Sequence, residues 1–147
     1  MNTFIEIFTN KYFVVPLVTG ILAQTFKFFL YWSINRKPDF RWFFYTGGMP
    51  SAHSASVMAL STIVGFNKGF DSALFGITLY FSLIVMYDAA GLRRAAGMQA
   101  RVINRMIEEL KIAHKIREER LRELLGHTPF EVMVGALLGI FAGIIMR

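Results

Sequence analysis

The stretch YFVVPLVTGILAQTFKFFLYWSI, residues 12–34, decides the fold. It is broken only by Gln24 and Lys27. As a helix rising about 1.5 Å per residue it is long enough to span the ~30 Å of hydrocarbon in a bilayer. It stops at Asn35-Arg36-Lys37-Pro38, where two cations and a proline close an apolar helix.

Working outward, three further apolar runs follow, at about 51–66, 72–90 and 129–146. The second is rich in Ser and Ala and reads as a tightly packed helix rather than a lipid-facing one. A soluble domain of 147 residues buries a fair core, but it cannot hide runs of this length. The composition agrees, with 54% apolar residues and 15 phenylalanines. The fold class is therefore all-α, a polytopic membrane helix bundle of about four transmembrane helices forming one domain over 1–147. The first run has no basic stretch before it and no small-residue cleavage site after it, so it reads as mature structure rather than a signal peptide. Cysteine is absent, which excludes disulfides and thiolate metal sites.

Between the third and fourth runs, over about 96–125, Val102, Met106, Leu110, Ala113, Ile116, Leu121 and Leu124 recur near helical spacing among many charges. This predicts an amphipathic helix lying against the membrane surface or a second subunit, and its cations suit anionic headgroups. His114 sits among Lys and Glu there and reads as solvated.

Basic residues set the orientation. Arg36, Lys37 and Arg41 lie in the first loop and nine more from Arg93 to Arg122 in the third, against Lys68 alone in the second. The positive-inside rule then places the first and third loops in the cytoplasm and both termini outside. The net charge of +6 needs no nucleic acid to explain it, since no stacking platform or groove-reading motif accompanies the charges.

This orientation gathers the unusual residues on one face. Gly47-Gly48-Met49-Pro50-Ser51-Ala52-His53 opens the second helix, Asp88 and Arg93-Arg94 follow the third, and His127 and Glu131 open the fourth. Helices connected in different ways had no need to place polar residues at one depth, so the coincidence points to a site at the cytoplasmic boundary. Its chemistry suits a phosphate. Gly47 and Gly48 admit close backbone approach, Ser51 offers a hydroxyl, and the helix start presents free N–H groups. Arg93 or Arg94 could add bidentate hydrogen bonds. Of the two histidines, one could attack phosphorus while the other protonates the leaving oxygen. Lys27, an ionisable residue within a membrane run, is a further candidate.

Structural roles compete for the same residues. Thr128-Pro129-Phe130-Glu131 is a capping-box pattern with Pro at the first helical position, a sufficient reason for Glu131 to be there. Ser51 after Pro50 is equally suited to a helix start. Asp88 is open between a direct role and pairing with Arg93 or Lys27. Gly135 and Gly139 form a small-xxx-small pattern suited to helix packing.

Pro50-Ser51-Ala52-His53 resembles the Pro-Ser-Gly-His motif of the type 2 phosphatidic acid phosphatase superfamily. The segment from His127 to Glu131 resembles its last motif, in which His is followed four residues later by Asp. The strings GGMPSAHSA, YDAAGLRRAAG and LGHTPFEV resemble the divergent bacterial and plastid branch of that superfamily, over nearly the whole chain. The resemblance implies a membrane phosphatase acting on a lipid phosphate or polyprenyl pyrophosphate, with no metal or cofactor. His127 would be the nucleophile forming a phosphohistidine, Glu131 its orienting carboxylate and His53 the general acid. Ser51, Gly48 and an arginine would hold phosphoryl oxygens. The motif arginine is displaced here, and Arg93 or Arg94 supplies it only if the amphipathic helix splits the motif. The first superfamily motif survives approximately as Lys27 and Arg36-Lys37-Pro38, with a gap that sets Lys27 on the order of 13 Å along the axis from Arg36. One phosphate is not expected to touch both.

The departures from the family pattern keep two other readings open, a non-catalytic lipid-phosphate binding or transport protein and a metal-dependent membrane hydrolase using His53, His127 and Glu131. Four helices are fewer than the six usual in membrane enzymes of the superfamily, which leaves room for a homo-oligomer to complete the core.

Overall fold

The computed structural model describes residues 3–43, 47–112 and 126–147, with the backbone alone for 92–94 and 109–112. Among these residues the chain is helical and has no strand. The four expected apolar segments are α2 (Lys11–Asn35), α3 (Ala52–Lys68), α4 (Ala73–Ala90) and α6 (Pro129–Ile145), each end falling within two residues of its sequence-based limit. A short α1 (Thr3–Thr9) precedes them, and a 3-10 turn, Phe40–Phe43, follows α2. Neither was expected from sequence. The amphipathic helix, α5, covers Leu92–Ile112, starting one residue past Gly91 rather than near residue 96. The remainder of its expected span, 113–125, lies outside the described residues.

Local chemistry fixes the helix ends. The Asn10 side chain accepts from the Tyr12 N–H to cap α2, and Ser51, Ser72 and Thr128 cap α3, α4 and α6 in the same way. α2 ends where Arg36 turns to φ 57° and its N–H reaches the Trp32 carbonyl, two residues ahead of Pro38. α4 ends at Gly91, whose N–H still reaches the Tyr87 carbonyl at 2.8 Å while its own carbonyl accepts from Ala95, so α5 follows almost without a gap.

Helix α3 is the centre of the bundle, packed on α2, α4 and α6. Small residues make this possible. A Cβ on Gly135 or Gly139 of α6 would strike the carbonyl oxygen of Ser51 or Ala55, and one on Gly143 would come within 2.7 Å of the Thr62 Cβ. The two backbones are therefore in direct contact along one stripe, as the small-xxx-small spacing anticipated. Against α4, the Ser61 hydroxyl lies 2.8 Å from that of Ser82, which in turn bonds the Val57 carbonyl at 2.9 Å. Against α2, Ser56 donates to the Pro16 carbonyl at 2.9 Å, an approach that only glycine at position 20 permits.

The polarity of a soluble protein is inverted. Small or hydroxylated residues such as Ala23, Ala55, Ala59, Ser54, Ser61, Ser82 and Thr19 share the interior with a few larger apolar ones, Val15, Phe28 and Ile63 among them, while Phe26, Phe29, Ile77, Phe81, Leu137 and Phe141 are at least half exposed. A lipid environment stabilises such a surface. α2 and the near-continuous stretch from Ala73 to Glu108 are long and apolar enough to cross a bilayer. α3 and α6 have 17 residues each, about 26 Å of helix. The chain is an all-α membrane helix bundle.

Candidate functional site

One end of the bundle collects the starts of α3 and α6, the end of α4 and the Lys27 level of α2. Two backbone bonds lock them together. The Ser51 N–H donates to the Glu131 carbonyl at 3.2 Å, and the His127 N–H donates to the Ala89 carbonyl at 3.0 Å. α2 overshoots this level by two turns, and the chain then folds back along it. Phe43 stacks on Phe28 with ring centroids 4.6 Å apart, Trp42 stacks on Tyr31 at 4.1 Å, and the Gln24 amide donates to the Trp42 and Phe43 carbonyls at 3.2 and 2.6 Å. The returning chain thus reaches Gly48, which lies against the Trp42 ring and the Lys27 stem. With φ at 78°, Gly48 occupies backbone space that other residues rarely adopt.

The result is a cleft of about 320 Å³ lined by Leu17, Gly20, Ile21, Gln24 and Lys27 of α2, Ala52, His53 and Ser56 of α3, and Phe43 and His127. His53 is exposed on its rim and His127 is buried. Their ring centroids are 6.5 Å apart at 64°. The Nδ1 atom of His127 lies 3.1 Å from Oε2 of Glu131. That oxygen also accepts the Thr128 N–H at 3.1 Å, while the Glu131 N–H donates to the Thr128 hydroxyl at 3.3 Å. The capping box and the histidine partner, alternatives on sequence, are one arrangement. Burial pushes the His127 ring below the ordinary histidine pKa; the Glu131 bond opposes this, the Lys27 charge adds to it, and the Gly48 carbonyl opposes it.

Lys27 is 3% exposed and lines the cleft. Among the described residues no carboxylate stands within ion-pair distance of its ammonium; the Glu131 charge acts on it only from farther away. A cation held inside a membrane bundle with no carboxylate at ion-pair distance among the described residues is costly, and it gives the cleft a positive charge.

The other expected residues are placed as follows. Ser51 is fully buried as the α3 cap, accepting from Ser54, and does not line the cleft. Arg36 is exposed and lines a different hollow with Phe29, Trp32 and Ser33, so it is separated from Lys27. Asp88, half-buried, stands one residue before the Ala89 carbonyl that holds His127. The backbones of Arg93 and Arg94 lie in the first turn of α5, with side chains outside the described residues. Among the described residues no group of three His, Cys, Asp or Glu side chains is placed to hold a metal ion. Sequence reasoning missed Gln24 as an anchor and Gly20 and Ser56 as lining. Gln24 did leave a signal, since it and Lys27 interrupt the first run three residues apart, on one helix face.

The chain is 41% identical over 152 aligned residues to the uncharacterized membrane protein YuiD of Bacillus subtilis strain 168, an alignment covering 96% of each. No solved structure matches it. A family model described as the divergent PAP2 family matches residues 8–142. That span contains both histidines, Glu131 and Lys27, and the chain belongs to the divergent PAP2 family.

Proposed function

We propose that this membrane protein is a phosphatase that hydrolyses a lipid phosphate or polyprenyl pyrophosphate through a phosphohistidine on His127. The observation that carries the reading is Lys27, almost fully buried and with no carboxylate at ion-pair distance among the described residues, lining the same cleft as His53 and His127. It supplies the charge that a phosphoryl group needs beside an attacking and a protonating histidine.

With Glu131 accepting at Nδ1, the His127 lone pair is left on Nε2. Nε2 attacks phosphorus and forms the N–P bond. The P–O bond to the leaving group breaks, and the leaving oxygen takes a proton from His53. Water then attacks the phosphohistidine, breaking the N–P bond and returning a proton to His53 as orthophosphate leaves. Glu131 stabilises the positive charge that the phosphorylated ring carries. The depressed His127 pKa supports the neutral ring that attack requires.

A lipid source is supported by the lower cleft. Leu17 and Ile21 are about half exposed on the lipid side, and the Ser56 hydroxyl and Gln24 amide there are already committed to protein carbonyls. That wall suits hydrocarbon rather than water. The cleft lies at the end carrying the first and third loops, whose basic residues favour the cytoplasmic face for it and the outside for both termini.

Phosphate release from a panel of lipid phosphates by the purified chain, with chelator and vanadate controls, tests the reading. Vanadate-sensitive, chelator-insensitive release supports it. Binding without turnover of any lipid phosphate favours the non-catalytic binding or transport reading, and chelator-sensitive turnover favours a metal-dependent hydrolase.

A further inference from the structure

The end of the bundle remote from the histidine cleft gathers a second set of cations. Lys11 at the start of α2 and Lys68 at the end of α3 stand over the same Tyr12 ring, their Nζ atoms 5.8 and 6.0 Å from its centroid. Lys11 also donates to the Asn67 side chain at 2.5 Å, which ties the two helix ends together, and Asn67 is itself held by the Ile63 carbonyl at 2.6 Å. At the same end of the bundle the Arg147 guanidinium lies 4.6 Å from the Phe66 ring. Among the described residues none of these three cations pairs with a carboxylate.

The surroundings are apolar and outward-facing. Phe66 and Phe70 are 43% and 57% exposed, and α1 has no buried residue, with Phe4, Ile5, Ile7 and Phe8 all open. α1 joins the patch through Phe8, whose ring meets Phe13 edge-on at 6.2 Å. An exposed apolar helix next to uncompensated cations and aromatic rings is the composition of a surface seated at the boundary of headgroup and hydrocarbon.

We propose that this end is a binding site for the phosphodiester headgroup of an anionic phospholipid, held by Lys11 and Lys68 over Tyr12, with Arg147 at the same end of the bundle. The Tyr12 ring attracts both ammonium groups without neutralising them, and an ammonium has three donors, of which Lys11 spends one on Asn67. The phosphate completes them, and α1 lies along the acyl boundary beside it. The site is independent of the histidine cleft and of any turnover there.

The chain has no cysteine, so Phe13→Cys accepts a single fluorophore beside Tyr12. The full-length labelled protein is reconstituted in phosphatidylcholine vesicles containing nitroxide-labelled phosphatidylglycerol or, in parallel, nitroxide-labelled phosphatidylcholine. Phosphatidylglycerol should quench at a lower mole fraction than phosphatidylcholine, and the advantage should shrink with salt. Lys11→Gln with Lys68→Gln should cut it about fivefold per lysine removed, with helicity unchanged by circular dichroism because both side chains are exposed. Lys37→Gln with Arg41→Gln, equal in charge but at the other end, should leave it intact. Equal quenching by the two lipids, or an advantage that survives loss of both lysines, overturns the proposal.

Discussion

A single oxygen of Glu131, Oε2, stands 3.1 Å from the Nδ1 atom of His127 and 3.1 Å from the Thr128 backbone N–H. Orientation of the histidine and closure of the first turn of α6 therefore depend on the same atom. Glu131→Gln separates the two duties. An amide oxygen can still accept from Thr128, so unfolding temperature should change little, by less than about 1 kcal/mol in stability. It cannot carry the charge that stabilises a cationic ring, and phosphohistidine formation should slow by about 100-fold or more. Rapid-quench trapping with a labelled lipid phosphate reads the rate. An unchanged rate would reduce Glu131 to a helix cap.

The pH profile carries a signed pair of expectations. Because burial holds the His127 pKa below its ordinary value, the acid limb of kcat/KM should fall below the usual histidine range. Glu131 favours the protonated ring, so Glu131→Gln should move the limb to still lower pH. Lys27 disfavours it, so Lys27→Met should move the limb upward in whatever activity remains. Shifts of the same sign in both variants would contradict this electrostatic assignment.

Lys27→Met should weaken vanadate binding on the order of 10- to 100-fold, the usual worth of one charge-assisted hydrogen bond to an anion. The same substitution should leave thermal stability in detergent unchanged or raised, because it replaces a buried lysine with no carboxylate at ion-pair distance among the described residues by an apolar side chain of similar length. Loss of stability with full vanadate affinity would assign Lys27 to the fold instead.

Gly139→Ala should destabilise the bundle by about 1–3 kcal/mol, since the new Cβ meets the Ala55 carbonyl and must push α6 from α3. Activity should fall with it, because His53 rides on one helix and His127 precedes the other. Gly76→Ala on α4, where nothing lies within 4 Å, should be neutral or stabilising by about 0.5–1 kcal/mol. Thermal unfolding of the two variants in one detergent makes the comparison.

Cysteine-accessibility labelling in intact cells checks orientation. Lys37→Cys should be shielded as cytoplasmic and Lys68→Cys should react from outside; the reverse pattern would place the histidine cleft on the outer face.

Length and hydrophobicity made the four apolar helices legible, because a bilayer dictates both. The capping signals at Ser51 and Thr128 fixed where α3 and α6 begin, and with them the depth of His53 and His127. The fold-back after α2 was not legible. It depends on Gln24 reaching carbonyls of Trp42 and Phe43 and on rings stacking at a distance in sequence, and neither leaves a periodic pattern. That fold-back brings Gly48 onto Lys27, so the sequence placed Lys27 on the right helix without revealing that it shares a cleft with both histidines. At Ser51 the sequence offered a ligand contact and a helix start, and the hydroxyl caps α3.

The inverted polarity of the bundle also reverses the usual map of mutational tolerance. In a water-soluble enzyme, drift accumulates on the outside in polar residues and the large interior side chains are held fast. Here the outward Phe, Ile and Leu can exchange freely for one another, because lipid conforms to any of them, whereas Gly135, Gly139, Ala55 and Ser82 have no room to grow. A library that varied only the small residues between α3 and its neighbours would lose nearly all its folded members, and one that varied only the outward large residues, greasy for greasy, would keep most of them.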